Sequence, residues 1–90
     1  MKIFTAKDKQ ELEPNCIYLN QKDKNLHVKG NKLYLLDKGP KHNLNLPIDI
    51  FFHTLGEEYK ENSVGIILSG TGSDGSRGIK TIKEEGGTVI

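Results

Sequence analysis

The stretch VGIILSGTGSDGSRGIKTIKEEGGTVI, residues 64–90, decides the fold class of this protein. Its first segment, Val64–Leu68, is apolar on both alternating faces, which is typical of a strand buried within a parallel sheet. A glycine-rich loop and a short helix follow, and Gly86-Gly87 ends that helix before a second strand begins at Thr88. This βαβ order predicts an α/β fold, the C-terminal part of a doubly wound parallel sheet. Because parallel strands need covered faces and further neighbours, we expect the domain to be incomplete.

The spacing of apolar residues predicts a helix over about residues 47–60. One helix face would carry Ile48, Phe51, Phe52, Leu55 and Tyr59. Pro47 suits the first turn of this helix, because the N–H that proline lacks has no partner there in any case.

A hairpin region is predicted over about residues 16–36. Cys16–Leu19 favours a strand, and two further strands, Leu26–Val28 and Leu33–Leu36, flank a short polar turn. The Gly30-Asn31 pair in that turn tolerates positive φ, as tight hairpin turns require.

Composition argues against several classes of protein. The 90 residues allow one small domain, and 13 basic against 12 acidic side chains, spread along the chain, give no argument for nucleic-acid binding. The single cysteine, Cys16, can form neither an internal disulfide nor a multi-cysteine metal site. No apolar stretch is long enough to span a bilayer. We therefore expect a soluble, cytoplasmic protein without membrane insertion.

The loop Gly70–Gly78 carries the chemical information. Its four glycines let the backbone approach a ligand closely and turn N–H groups toward negative charge, either a phosphate or an oxyanion. Part of it fits the dinucleotide-binding pattern G-x-G-x-x-G. Against that pattern, Asp74 would place a carboxylate beside a pyrophosphate, and the expected ribose-binding acid would lie beyond Ile90. Asp74 could equally cap the helix that follows it.

Residues 64–87 of this chain read VGIILSGTGSDGSRG followed by IKTIKEEGG. They closely resemble the signature of the CheB protein-glutamate methylesterases. Leu46–Phe52 looks like the segment that opens a helix in that family, and Leu12–Tyr18 looks like one of its strands. The resemblance covers nearly all of residues 1–90 and about the latter half of the family domain. The Leu46–Asp49 segment and the Ser69–Gly72 loop look most like the versions found in fused CheB/CheR methylesterase-methyltransferase proteins.

The resemblance implies a doubly wound α/β sheet with a β-hairpin, and hydrolysis of glutamate methyl esters on chemoreceptors, in some members with glutamine deamidation. It implies a Ser-His-Asp triad with neither cofactor nor metal. By residue-for-residue match, Asp74 is the triad aspartate. The backbone amide of Thr71 matches an oxyanion-hole donor.

The family serine and histidine have no counterpart in these residues, since both precede the part of the domain that the chain resembles. The remaining hydroxyl and imidazole side chains match neither role: Ser69, Ser73, Ser76, His27, His42 and His53. We therefore expect the chain alone to be inactive and to need the N-terminal half of its own domain. Its expected partner is a methylated chemoreceptor or another signalling protein. Open sheet edges predict self-association.

Two other functions remain open at this point. One is a non-catalytic signalling or docking module built on a degenerate methylesterase fold, and the other is a nucleotide-binding α/β unit.

Overall fold

The structure is a computed structural model that describes residues 1–37, 46–68 and 74–90. Its elements are β1 (Lys2–Thr5), β2 (Gln10–Glu11), β3 (Cys16–Leu19), β4 (Lys24–Lys29), β5 (Lys32–Asp37), α1 (Pro47–Tyr59), β6 (Val64–Gly65), α2 (Ser76–Glu84) and β7 (Thr88–Val89). A single 3-10 turn, Lys60–Asn62, connects α1 to β6. No helix in these ranges is long and apolar enough to cross a membrane.

The hairpin consists of β4 and β5, which pair antiparallel with Lys29 opposite Lys32. The two residues between them, Gly30 and Asn31, have φ of 57° and 61°. Positive φ at both turn residues matches the right-handed twist of the flanking strands, so this pair sets the hairpin register. The short strand β2 pairs with the other side of β5, which gives the sheet order β2-β5-β4.

The main core lies between this sheet and α1. Ala6 is buried together with Leu26 and Val28 of β4 and Leu33 of β5. Three apolar side chains of α1 pack against this cluster: Phe51, Leu55 and Tyr59. The apolar stripe of the helix therefore faces the hairpin.

Strand β1 pairs in parallel with β3, with Ile3 opposite Ile17. The sequence indicated no strand at Lys2–Thr5, because two apolar residues beside a charged one carry no clear period. It also placed β3 in the hairpin region, whereas among the described residues β3 pairs with β1 alone. Ile3, Ile17 and Leu19 are exposed on this pair. The expected self-association fits these exposed side chains and stays a prediction.

Strands β6 and β7 also pair in parallel, and within residues 1–37, 46–68 and 74–90 the pairing of β6 is limited to Val64 and Gly65. We expected a strand over Val64–Leu68 with both faces buried, and that expectation is wrong for the described residues. Val64 and Ile66 are exposed and Leu68 is 92% exposed. Only the face that carries Gly65 packs on the helices, against Phe52 and Ile82. The described residues provide no second layer to cover the face that carries Val64, Ile66 and Leu68.

The two helices approach each other closely at glycines. A Cβ atom at Gly56 of α1 would lie 3.2 Å from Cα of Ile82, and one at Gly78 of α2 would lie 2.5 Å from Cβ of Phe52. Helix backbones can approach this closely only where a side chain is missing. The contact brings the first turns of α1 and α2 side by side, and the candidate site lies there.

Candidate active site

Asp74 caps the N-terminus of α1 from a different part of the chain. Ile48 donates its backbone N–H to Oδ2 of Asp74 at 3.0 Å, and Asp49 donates its own to Oδ1 at 2.9 Å. These are the second and third residues of α1, whose amides have no partner within the helix. The carboxylate also lies at the positive end of the helix dipole. Both oxygens of Asp74 are therefore held by backbone.

The sequence suggested instead that Asp74 caps the helix that follows it. In the structure the residue at the N-cap of α2 is Gly75, with φ of 98° and no side-chain cap. The backbone N–H of Gly78, in the first turn of α2, is donated to Oδ1 of Asp49 at 2.7 Å. Each helix is thus capped by an aspartate that lies outside it.

Gly75 makes this arrangement possible. Its φ is positive, and a Cβ atom there would lie 2.6 Å from Cδ1 of Ile67 and 3.1 Å from Cγ2 of Ile48. Any other residue would be strained in its backbone and would push against the start of α1. Gly75 therefore lets the chain turn sharply after Asp74 while Asp74 stays beside the α1 amides.

Asp74 keeps the capacity to accept a further hydrogen bond. A carboxylate has about four acceptor sites, and the two amides of α1 use one on each oxygen. The residue is only partly buried. A donor such as an imidazole N–H could therefore bind a carboxylate whose position is already fixed.

The same geometry disfavours a pyrophosphate at this loop. Such a ligand would need the free amides at the start of α2. The carboxylate of Asp49 already accepts the N–H of Gly78, and the carboxylate of Asp74 accepts the N–H of Asp49. Two negative side chains at this point would repel a phosphate.

Of the candidate histidines, the structure describes His27 and His53, and neither is placed at Asp74. Thr71 lies outside the described residues, so its role as an oxyanion donor stays a prediction. His42 lies outside them as well. His27 is on β4, and His53 on α1 makes a short contact through Nδ1 with Oγ1 of Thr81. Within the described ranges, no group of three His, Cys, Asp or Glu side chains could hold a metal ion.

Asp49 is a residue of this site that the sequence did not reveal. Its place in the first turn of α1 is a weak signal, since acidic residues favour that position in general. Its actual partner, the amide of Gly78, is 29 residues away. No spacing rule within one element can show such a bond.

Comparison with known proteins supports the resemblance over the whole chain. The family model described as CheB methylesterase matches residues 1–90. The Thermotoga maritima protein-glutamate methylesterase/protein-glutamine glutaminase is 35% identical over 92 residues, which are 98% of this chain and 27% of that protein. A relative from Leptospira interrogans is 34% identical over 91 residues, and the match covers all of this chain and 47% of that protein.

The fold has a solved counterpart. The crystal structure of the Thermotoga maritima CheB methylesterase catalytic domain matches with a TM-score of 0.76 and 34% identity, over 96% of this chain and 48% of that one. The chain thus spans about half of that catalytic domain, as the incomplete α/β sheet suggested. The likeness to methylesterase-methyltransferase fusions is not tested by these matches and stays a prediction. The match over residues 1–90 shows that the chain belongs to the CheB methylesterase family.

Proposed function

We propose that the complete protein hydrolyses glutamate methyl esters on a signalling protein such as a chemoreceptor, and that this chain contributes Asp74 to its catalytic triad. The observation that carries the proposal is the carboxylate of Asp74, which the amides of Ile48 and Asp49 hold at 3.0 and 2.9 Å. Relatives named protein-glutamate methylesterase/protein-glutamine glutaminase support the reaction class. Deamidation of glutamine uses the same acyl chemistry and belongs to the proposal.

In this mechanism a serine attacks the ester carbonyl and a histidine takes its proton, then returns it to the leaving methanol. Water hydrolyses the acyl-enzyme in a second round of the same transfers. Asp74 accepts the Nδ1–H of that histidine, which fixes the tautomer and stabilises the imidazolium as it forms. We assign the backbone amide of Thr71 to the oxyanion that develops on the carbonyl oxygen.

The serine and the histidine come, in this proposal, from the N-terminal half of the domain. Two apolar surfaces support the idea that such a half packs here. One is formed by the exposed residues Ile3, Ile17 and Leu19 of β1 and β3, and the other by Val64, Ile66 and Leu68. Exposed apolar patches of this kind commonly mark surfaces that another element covers.

The test measures methanol release from a methyl-esterified receptor fragment. Three proteins are compared: the domain completed with its N-terminal half, this chain alone, and the completed domain with Asp74→Ala. We expect hydrolysis only by the completed domain, and a loss of about 10⁴-fold in kcat for Asp74→Ala. Asp8→Ala is the matched control, because Asp8 also accepts a backbone N–H, from Leu35 at 3.0 Å, but on the hairpin sheet. It should keep the unmodified rate.

Hydrolysis by Asp74→Ala at the unmodified rate would contradict the assignment of Asp74. Hydrolysis by the chain alone would show that the serine and histidine are not supplied from outside it. A completed domain that folds but does not hydrolyse the ester would favour a non-catalytic signalling module.

A further inference from the structure

Asp49 is a buried carboxylate that the triad mechanism does not use. It is 4% exposed, and its Oδ1 accepts the N–H of Gly78 at 2.7 Å. Among the described residues its other oxygen, Oδ2, is buried and accepts no hydrogen bond. Burying a carboxylate with one oxygen unsatisfied is costly in free energy. An apolar side chain would avoid that cost but would leave the Gly78 amide without its acceptor, so Asp49 is kept here for the bond that fixes the first turn of α2.

The bonds of Asp49 form a closed ring with Asp74. The Asp49 N–H is donated to Asp74, and the Asp49 carboxylate accepts the N–H of Gly78, which follows Asp74 by only four residues. Asp74 and the first turn of α2 are therefore both attached to one residue of α1. The ring leaves little freedom for the segment between them.

Close packing on Gly78 reinforces this ring. A Cβ atom at Gly78 would lie 3.1 Å from Cα of Asp49 and 2.5 Å from Cβ of Phe52. The start of α2 thus rests directly on the backbone of α1 beside Asp49. If the Asp49 carboxylate were removed, the Gly78 amide would be left buried without this acceptor and the first turn of α2 would move.

We propose that Asp49 is a positioning residue for Asp74 in ester hydrolysis. By holding the first turn of α2 against α1, it keeps the Asp74 carboxylate beside the α1 amides and directed at the triad histidine. This inference rests on the proposed function. A displacement of about 1 Å at a catalytic group can cost about 100-fold in rate, so loss of Asp49 acts on turnover more than on substrate binding.

The test is steady-state kinetics of the completed domain with Asp49→Ala, Asp49→Asn, Asp74→Ala and the double variant Asp49→Ala/Asp74→Ala. For Asp49→Ala we expect kcat to fall about 10- to 100-fold while KM stays within about twofold. Asp49→Asn should keep kcat within about fivefold, because its amide oxygen can accept the same N–H. Asp8→Ala again serves as the control.

The double variant separates positioning from a general structural role. If Asp49 acts through Asp74, the double variant loses no more activity than Asp74→Ala alone, whereas independent effects would multiply. Multiplying losses, or an effect confined to KM, would overturn the inference. Full activity of Asp49→Ala with an inactive Asp74→Ala would overturn it while leaving the proposed function intact. An active Asp74→Ala would instead refute the proposed function.

Amide hydrogen exchange of the unmodified domain tests the inference even if Asp49→Ala does not fold. The amides of Asp49 and Gly78 should exchange slowly and at similar rates, because one ring of bonds protects both. Fast exchange at Gly78 beside slow exchange at Asp49 would show that the ring does not hold in solution.

Discussion

Replacing Gly78 by alanine tests how closely α1 and α2 must approach each other. The new Cβ would lie 2.5 Å from Cβ of Phe52 and 3.1 Å from Cα of Asp49, whereas ordinary contacts lie between 3.4 and 4 Å. The helices must therefore separate by about 1 Å. A separation of that size would lengthen the 2.7 Å bond from Gly78 to Asp49 beyond hydrogen-bonding range.

The opposing effects on stability can be compared. Alanine gains about 1 kcal/mol over glycine in a helix interior. Overpacking costs about 1–3 kcal/mol, and loss of a hydrogen bond to a charged group costs about 1.5–3 kcal/mol more. We therefore expect Gly78→Ala to lower the free energy of unfolding by about 1.5–5 kcal/mol.

Urea unfolding of the completed domain is the assay, with Lys80→Ala as the control. Lys80 is an exposed residue of the same helix, and its replacement should change stability by no more than about 0.5 kcal/mol. Helix propensity alone predicts the opposite sign for Gly78→Ala. A variant as stable as the unmodified domain, or more stable, would refute the close contact at Gly78.

Two further predictions concern the hairpin. Leu33 is 2% exposed and Leu36 is 49% exposed, so Leu33→Ala should cost about 2–5 kcal/mol in urea unfolding and Leu36→Ala less than about 1 kcal/mol; equal costs would contradict the position of the core. The hydrogen bond and charge of Lys24 hold the pKa of Asp37 below its usual range. The contribution of this pair to stability is therefore present above the pKa of Asp37 in the unfolded chain and is lost as pH falls through the lowered pKa. Because Lys24→Gln removes the charge, it should raise the Asp37 pKa in a carboxyl NMR titration; an unchanged value would refute the contact.

Local patterns in the sequence were sufficient for several single elements, although not for β1 or β2. The stripe of apolar residues from Ile48 to Tyr59 has the helical period, and α1 occupies Pro47–Tyr59. The Gly30-Asn31 pair indicated a tight turn, and the structure has positive φ at both residues. The order of β6, α2 and β7 follows from an apolar strand, a glycine loop and a glycine stop. Each of these signals depends only on neighbours within a few residues.

The candidate site shows where such signals end. The sequence singled out Asp74 through its loop, and capping rules offered the following helix as one partner for its carboxylate. The structure places it on α1, whose amides are 25 and 26 residues away along the chain. Asp49 gave no signal of its bond to Gly78 for the same reason.

By itself, the sequence determined the α/β class, the hairpin turn, the helix register and the family signature around Asp74. Only the tertiary structure decided that β1 pairs with β3, that one face of β6 stays exposed, that Asp74 caps α1 and that Asp49 caps α2. Periodicity and turn preferences act between near neighbours, whereas these contacts depend on how glycine-lined helices and parallel strands meet in space.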